Sequence, residues 1–364
     1  MRQILLTLLI IVTYNRAFTQ ETIHVGFLPG FLMPHSVSMP HMAAHSIGGE
    51  IAFQFQGLGN KHIDSLYKNA DWGVLFYYNY LGKHALNGST LGVIPYFQVR
   101  IKKHKYSETM MRLSAGIGYC TQIFNSVNNL KNRAMSSKLN GTMQFFLLNY
   151  RQYSSNATFF YGIGMSHLSN ANFKRPNLGL NTPQINFGIN FSTPVKRTLR
   201  FHSDTTLPQT KTYLETRIGF ALKTATVSDP TMRPVYTLSL TQGLGITPIR
   251  GARFGLDFYY DKLDPYIVFT PDSKQSFPFS DAFEAAVKAG YEYYLRNVNI
   301  YADLGYYAYK PEQVGKLKYY ISIGINYHYK KFFIGTRLKS HAANADFIDW
   351  CVGYRFDTNY KKVK

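Results

Sequence analysis

Residues 317–329 read LKYYISIGINYHY, and their side chains alternate between two kinds. The odd positions from Tyr319 to Tyr327 are large and apolar, whereas the even positions include lysine, serine, glycine, asparagine and histidine. Alternation with a period of two is the pattern of a β-strand that has one apolar and one polar face. The same alternation recurs at 91–101, 212–222, 251–260 and 298–307. Each stretch is about as long as a strand that crosses a bilayer at a tilt.

The polar face of these strands distinguishes a membrane barrel from a soluble β-sandwich. It is rich in glycine and carries charges of both signs, as a barrel lumen does, whereas a sandwich would expose many Lys and Glu side chains to water. Aromatic residues make up 16% of the chain, with 29 Tyr and 27 Phe, and charged residues only 16%. An average soluble protein has about 25% charged residues. We therefore predict an all-β protein, a transmembrane antiparallel barrel of the outer-membrane type.

The number of alternating segments sets the expected size of the barrel. Roughly 12 to 16 segments fit between residue 48 and Phe356, and an even number of about 14 strands is expected. No second domain is visible, so residues 20–364 are expected to form one barrel domain. The breaks at 122–136, 195–210 and 261–281 are the longest, which favours loops on the outer side of the membrane.

The first residues predict export. MRQILLTLLIIVTYNRAFTQ (1–20) has a charged start, an apolar run too short to span a bilayer, and small residues before a cleavage site. This is the pattern of a signal peptide, here residues 1–19, and it predicts localisation to the outer membrane. The formal net charge is +20. Because no nucleic-acid-binding motif accompanies this charge, a surface of phosphorylated lipid explains it at least as well, and no nucleic-acid partner is expected.

The candidate chemistry lies in IGMSHLSNANFKRPNLGLN (163–181). In the strand that begins this stretch, the odd positions are large and apolar, whereas the even ones include Gly162, Gly164 and Ser166, so the odd face is expected to contact lipid. His167 and Ser169 continue that outer face at the point where it leaves the hydrocarbon. In the next strand, counting back by twos from Ile185 brings Asn181 onto the same face, across the turn.

These three side chains suggest nucleophilic chemistry. His167 could take the proton of Ser169, whose oxygen would attack an ester carbonyl, while the amide oxygen of Asn181 orients the imidazole. Backbone N–H groups of the Asn170–Asn177 turn, or the amides of Asn170 and Asn177, could hold the oxyanion. The alternative is a serine and a histidine that are merely hydrated at a barrel rim beside an ordinary Asn- and Gly-rich turn.

The same residues resemble a known family. HLSNA at 167–171, followed by KRPNLG at 174–179, is similar to the lipid A 3-O-deacylase (PagL-like, acyloxyacyl hydrolase) family. The resemblance implies an outer-membrane barrel with its site outside the wall and removal of an ester-linked acyl chain from lipid A. It implies His167 as base, Ser169 as nucleophile, Asn170 and Ala171 as supporting residues, and Asn177 near the oxyanion.

The chain departs from the family in one catalytic position. The family's third member is a glutamate after the turn, and the matching residue here is Asn181, which gives the imidazolium less electrostatic support. The predicted function is an outer-membrane serine esterase that deacylates lipid A or a related glycolipid. The alternative is a non-catalytic pore or structural barrel that retains the motif.

No cofactor is expected for this chemistry, and lipopolysaccharide, the outer membrane and a second copy in a homodimer are the expected partners. His35, His41 and His45 are spaced six and four positions apart in a segment that also contains Pro34 and Pro40, so they fit no compact metal-ligand pattern and no metal site is expected. Six lumen-facing residues are expected to form an ion-pair network: Glu215, Arg217, Arg253, Asp257, Asp303 and Arg337.

Overall fold

The computed structural model describes residues 21–56, 70–192, 210–224, 227, 229–262, 278–295, 297–311, 317–342 and 344–361. The first eight strands are β1 (Glu21–Leu32), β2 (Ala44–Gln56), β3 (Asp71–Tyr80), β4 (Ser89–Lys103), β5 (Ser107–Cys120), β6 (Leu139–Gln152), β7 (Ala157–Ser169) and β8 (Leu180–Ser192). The next eight are β9 (Thr210–Thr224), β10 (Met232–Thr247), β11 (Arg250–Asp261), β12 (Phe283–Leu295), β13 (Val298–Tyr309), β14 (Tyr319–Tyr329), β15 (Phe332–His341) and β16 (Asn344–Lys361). In the described ranges two short helical segments accompany them, a 3-10 turn at Pro40–Met42 and helix α1 at Phe279–Ala282. The expected signal peptide, residues 1–19, lies outside the described residues.

The strands close into two antiparallel barrels. Strand β1 pairs with both β2 and β8, which closes β1–β8, and β9 pairs with both β10 and β16, which closes β9–β16. The all-β barrel class is confirmed, but the described chain has sixteen strands rather than 14, in two barrels rather than one. Alternation is a local pattern that looks the same in one wide wall and in two narrow ones. Closure depends instead on pairing between strands that are far apart in the sequence.

The wall of each barrel has the orientation that the alternation predicts. On β14, Ile321, Ile323 and Ile325 are exposed on the outside, while Ser322 and Asn326 are fully buried in the lumen. Every described strand of both barrels has apolar side chains on its outer face. An outer surface of this kind is stable in hydrocarbon and would be unfavourable in water.

Aromatic side chains form a band at each end of the second barrel. At the end where β9 joins β10, neighbouring rings connect Tyr236, Tyr260, Phe279, Phe283 and Tyr309, with successive centroids 5.0 to 6.5 Å apart. At the opposite end, the ring centroid of Tyr354 lies 5.0 Å from that of Phe332 and 4.5 Å from that of Phe356. Bands of this kind mark the two membrane–water boundaries of a transmembrane barrel. In the part of the chain that the structure describes, no helix has the length and hydrophobicity to cross a membrane.

Ion pairs fill the lumen of the second barrel. Arg253 lies 3.2 Å from Asp303, 3.3 Å from Glu292 and 3.6 Å from Glu215. Arg337 lies 3.1 Å from Asp257 and 2.9 Å from Asp349, and Arg217 also pairs with Asp349. The ion-pair network expected from the sequence is confirmed. An eight-stranded barrel has an interior about wide enough for side chains alone.

The lumen of the first barrel contains a smaller network. Arg112 contacts Glu50 through two nitrogens, at 2.7 and 2.9 Å, and His24 lies between Glu50 (2.7 Å) and Asn190 (2.8 Å). All four side chains are buried. A buried charge is tolerated only when it is paired and hydrogen-bonded, and this arrangement satisfies that requirement.

The two ends of the first barrel differ in loop length. Residues 33–43, 81–88, 121–138 and 170–179 connect strands at one end, which we call the long-loop end. At the other end, β4 joins β5 through residues 104–106 and β6 joins β7 through 153–156, whereas the connection from β2 to β3, residues 57–70, lies almost entirely outside the described residues. Of the three loops expected on the outer side, 122–136 lies at the long-loop end, while 195–210 and 261–281 fall largely outside the described residues.

Candidate active site

Strands β7 and β8 bring the candidate residues together at the long-loop end. The two strands are antiparallel, and His167 is directly opposite Asn181 in their register. His167, Ser169 and Asn181 are all half-buried. Apolar side chains on the same faces, such as Met165 on β7 and Ile185 on β8, are exposed on the outer wall. His167, Ser169 and Asn181 thus occupy the positions on β7 and β8 that alternate with buried residues, as the sequence predicts for the outer face.

The inward neighbours of these residues hold both strand ends in place. Leu168 and Leu180 are buried and opposite one another, each next to a candidate site residue. They belong to a buried apolar cluster to which the loops contribute the following residues: Met39, Met42, Leu81, Ala134 and Met135. Burial of apolar side chains at this density restricts movement of the strand ends. The site is thus built on the rigid part of two strands and not on a free loop.

A short hydrogen bond joins the imidazole to the amide. His167 Nδ1 lies 2.6 Å from Asn181 Oδ1, and an amide oxygen can only accept, so Nδ1 carries the hydrogen. The other ring nitrogen, Nε2, then has its lone pair available to take a proton. This is the tautomer that a general base next to a serine requires.

Gly179 supports the imidazole from the loop side. Its φ is +80°, in the left-handed region, and a Cβ placed there would lie 3.0 Å from His167 Cε1. The neighbouring backbone is fixed by two hydrogen bonds, from Leu178 N to Arg133 O (3.3 Å) and from Gly179 N to Ala134 O (3.0 Å). The loop 121–138 therefore positions the segment against which the ring packs.

The remaining candidate residues lie in the turn or at its edge. Asn170 is buried, and its Nδ2 donates to Ser137 Oγ (2.8 Å) and Ser136 Oγ (3.3 Å). This side chain faces away from Ser169 and connects the end of β7 to the loop 121–138. Ala171 has a left-handed φ of 51°, where the chain leaves the strand. Asn177 is half-buried in the same turn.

Met143 and Gly141 flank the site on β6. In the register of β6 and β7, Met143 is opposite His167, and Gly141 is opposite Ser169. On the other side, Met33 donates its backbone N–H to the carbonyl of Asn181 (2.9 Å). Met143 and Met165 are both exposed. The polar group is thus bordered by flexible apolar side chains, which suit contact with acyl chains.

The long-loop end is basic. The segments 33–43, 81–88 and 121–138 contain no Asp or Glu, and their exposed cationic side chains are Lys83, Lys131, Arg133 and Lys138. Lys83 Nζ donates to the carbonyl of His41 (2.7 Å), which connects two of the loops. Because cations are not neutralised by nearby carboxylates in these segments, the surface beside His167 attracts anions.

The N-terminal histidines serve as connections between loops. His35 Nε2 donates to the carbonyl of Leu178 (2.7 Å), and His41 Nε2 donates to that of Lys131 (2.7 Å). The ring of His45 contacts Phe31 on the outer wall. In the described part of the chain, no three His, Cys, Asp or Glu side chains are grouped closely enough to bind a metal ion.

Sequence reasoning missed the support that the loops give to the site. In the sequence Gly179 is visible only as part of a turn, because its contact with the imidazole depends on a left-handed φ. The pairing of 178–179 with 133–134 joins segments more than forty residues apart in the sequence. The sequence contains one indication of this backbone angle, the glycine that follows the Pro-Asn turn, since glycine is favoured where φ is positive.

Two protein-family models match the chain. A family model described as "Lipid A 3-O-deacylase (PagL)" matches residues 47–190, and one described as "Acyloxyacyl hydrolase, C-terminal domain" matches residues 210–359. No curated protein sequence matches the chain. Among solved structures, a mutant porin of Rh. blastica has 8% identity over 92% of this chain and all of that one, with a TM-score of 0.22. A TodX mutant, a monoaromatic hydrocarbon channel, has 9% identity over 95% and 92%, with a TM-score of 0.18.

The two family models together cover most of the chain, one on each barrel, and the first includes His167, Ser169 and Asn181. The chain therefore belongs to the lipid A 3-O-deacylase (PagL) and acyloxyacyl hydrolase family.

Proposed function

We propose that this protein is an outer-membrane serine esterase that removes an acyl chain from lipid A or a related acylated glycolipid. The observation that carries the proposal is the hydrogen-bonded pair of His167 and Asn181 beside Ser169 on the outer face of the wall. Three polar side chains grouped where the outer face leaves the hydrocarbon are within reach of a substrate held in the membrane. Family membership supports the same activity.

The first chemical step would be attack by Ser169. His167 Nε2 takes the proton from Oγ while Oγ bonds to the ester carbonyl carbon, and the carbonyl oxygen becomes an oxyanion. Asn181 holds the imidazole in the required tautomer and orientation. The backbone N–H groups of Asn170 and Ala171, which follow the nucleophile in the chain, are our candidates for stabilising the oxyanion.

Collapse of the tetrahedral intermediate would release the sugar hydroxyl. The C–O bond to the sugar breaks, the imidazolium returns its proton to the leaving oxygen, and the acyl group stays on Ser169 as an ester. Water then attacks this ester, with His167 again as base, and yields a free fatty acid. Asn181 carries no charge, so it stabilises the imidazolium less than a carboxylate would.

The outer leaflet is our proposed location for the reaction. Outer-membrane barrels have short periplasmic turns and longer extracellular loops, so the long-loop end would face outward. His167 and Ser169 lie at this end, where the outer face passes from apolar to polar residues. An acylated lipid held in the same leaflet would bring its ester bonds to that level.

The basic loops favour an anionic head group. Lys83, Lys131 and Arg133 are exposed at the end of the barrel that carries the candidate nucleophile. Phosphate groups on a sugar would form charge-assisted hydrogen bonds with such side chains. Homodimer formation remains a prediction.

A pore or purely structural role is the rival function. Its support is weaker because the lumens contain paired, buried charges, such as Arg112 with Glu50 and Arg253 with Asp303. A conducting barrel would instead need a continuous path of water. The hydrogen-bonded pair of His167 and Asn181 lies on the outer face and would not contribute to conduction through a lumen.

Mass spectrometry of lipid A tests the proposal. Purified protein in mixed micelles should release one hydroxyacyl chain, and Ser169→Ala and His167→Ala should each abolish the release. Thr109→Ala is a suitable control, because Thr109 is on the wall of the same barrel near its opposite end. Identical spectra for the wild type and both site variants would reject the esterase, and single-channel conductance retained in both would favour the pore.

A further inference from the structure

Gly141 leaves an opening directly beside the candidate nucleophile. It is exposed on β6, and in the register of β6 and β7 it is opposite Ser169. Among the described residues, a Cβ built on Gly141 would meet one neighbouring atom within 4 Å, the carbonyl oxygen of Ser169 at 3.4 Å. The space in front of this glycine is therefore open, unlike that in front of Gly162, where a Cβ would lie 1.9 Å from Leu147 O.

The other side of Ser169 is occupied by protein. There the imidazole of His167 is bonded to Asn181, and Gly179 packs against the edge of the ring. Gly179 is in turn bonded to Ala134 in the loop 121–138. An acyl group that approaches Ser169 Oγ along the wall therefore has more room over β6 than over β8.

Apolar side chains line the opening. Leu139 and Met143, two positions before and after Gly141 on β6, are 67% and 45% exposed. Ile117, the partner of Gly141 on β5, is 65% exposed. These three side chains surround the glycine and offer an apolar surface that methylene groups can contact.

We propose that Gly141 is a specificity-determining residue, over which the acyl chain of the scissile ester lies next to its carbonyl carbon. The side chains of Ile117, Leu139 and Met143 contact the methylene groups that follow. This assignment rests on the proposed esterase activity and adds which side of the nucleophile accepts the acyl chain. A side chain at position 141 would fill the space that the chain needs, without disturbing the lumen.

Chain-length selectivity tests the assignment. Gly141→Leu and Gly141→Ala are assayed in micelles with p-nitrophenyl acetate and p-nitrophenyl decanoate, and kcat/KM is compared. The decanoate-to-acetate ratio should fall about tenfold or more for Gly141→Leu, and by less for Gly141→Ala, because methylene contacts in an apolar site contribute factors of this size. The correctly folded fraction is measured from the heat-dependent shift in gel mobility.

Gly49→Leu is the matched control. Gly49 is on β2 of the same barrel, and a Cβ on it would meet one neighbouring atom within 4 Å, Gly26 O at 3.3 Å. This variant should keep the wild-type ratio. The inference about the acyl chain would be overturned by an unchanged ratio in folded Gly141→Leu, or by an equal fall in kcat/KM for both substrates. Ester hydrolysis that is unaffected by Ser169→Ala would instead reject the proposed function itself.

Discussion

His167 and Asn181 are opposite one another on β7 and β8, and Nδ1 of the imidazole donates to Oδ1 of the amide over 2.6 Å. The pairing follows from the register of the two strands, in which Leu168 and Leu180 are also opposite and buried. This one register places the imidazole of His167 on the outer face and the two buried leucines, which hold the strand ends, on the inner face. A shift by one residue would turn both polar side chains into the lumen.

Substitutions at Asn181 measure what this hydrogen bond contributes to catalysis. Asn181→Ala removes the acceptor for Nδ1, so the imidazole loses its fixed tautomer. We expect kcat for deacylation to fall by about tenfold to 100-fold, within the range of general-base catalysis. Asn181→Glu should equal or exceed the wild type, because a carboxylate stabilises the imidazolium that forms during attack.

A second comparison separates this effect from loss of structure. Asn149→Ala changes a half-buried asparagine on β6 of the same barrel, whose Nδ2 donates to Thr109 Oγ1 over 3.3 Å. This variant should deacylate lipid A at the wild-type rate. Equal rates for Asn181→Ala and the wild type would remove Asn181 from the site.

Gly179→Ala is expected to displace the imidazole. The φ of +80° is unfavourable for alanine by about 1–2 kcal/mol, and the new methyl group would lie 3.0 Å from His167 Cε1. The ring must move by a few tenths of an ångström, which disturbs its alignment with Ser169. We expect kcat to fall by about tenfold or more while the barrel remains folded.

Gly82→Ala distinguishes displacement of the ring from backbone strain. Gly82 has a φ of +65° at the same end of the barrel, but a Cβ there would contact Ala44 and His45 and not His167. It should lower the midpoint of thermal unfolding and leave kcat of the folded fraction unchanged. If both glycine variants lose kcat equally, strain alone accounts for the loss.

The strands and their orientation could be predicted from the sequence because both depend on local alternation. The outer positions of β14 and the outward face of His167 and Ser169 follow from counting by twos. The lumenal ion pairs could be predicted for the same reason, since Arg253, Asp257 and Asp303 fall on inward positions.

Closure and loop contacts could not be predicted in this way. The pairing of β1 with β8 and of β9 with β16 joins residues far apart in the sequence. The alternation within a strand does not indicate which distant strand it pairs with. The contact of Gly179 with His167 depends on a backbone angle and on hydrogen bonds to the loop 121–138. Such features become visible only when several segments are placed together.

Arg337 is expected to be essential for stability of the second barrel. It is fully buried and donates to Asp257 (3.1 Å) and Asp349 (2.9 Å). The variant Arg337→Met therefore leaves both buried carboxylates with less positive charge nearby. Removing one partner of a buried ion pair costs about 3–5 kcal/mol. Trp350 lies on β16, and its fluorescence during urea unfolding reports on this barrel when Trp72 is replaced by Phe.

Arg233→Ala provides the comparison for a more accessible ion pair. Arg233 lies 3.1 Å from Asp229, and both side chains are nearly one-fifth exposed. Its loss should lower the free energy of unfolding by about 1 kcal/mol or less. Equal destabilisation by the two variants would show that the lumenal network contributes no more than a surface pair.

Arg133 is expected to recognise charge on the substrate. Its carbonyl accepts a hydrogen bond from Leu178, next to the glycine that supports His167, and its side chain is exposed. Arg133→Glu should therefore lower kcat/KM for a phosphorylated lipid A about fivefold to tenfold at low salt, and leave that for an uncharged ester unchanged. The difference should shrink as ionic strength rises, because exposed charges are screened within about 10 Å at 0.1 M salt. Arg151→Glu makes the same change at the opposite end of β6, and an equal loss in this variant would mean that net charge, not the position of Arg133, governs binding.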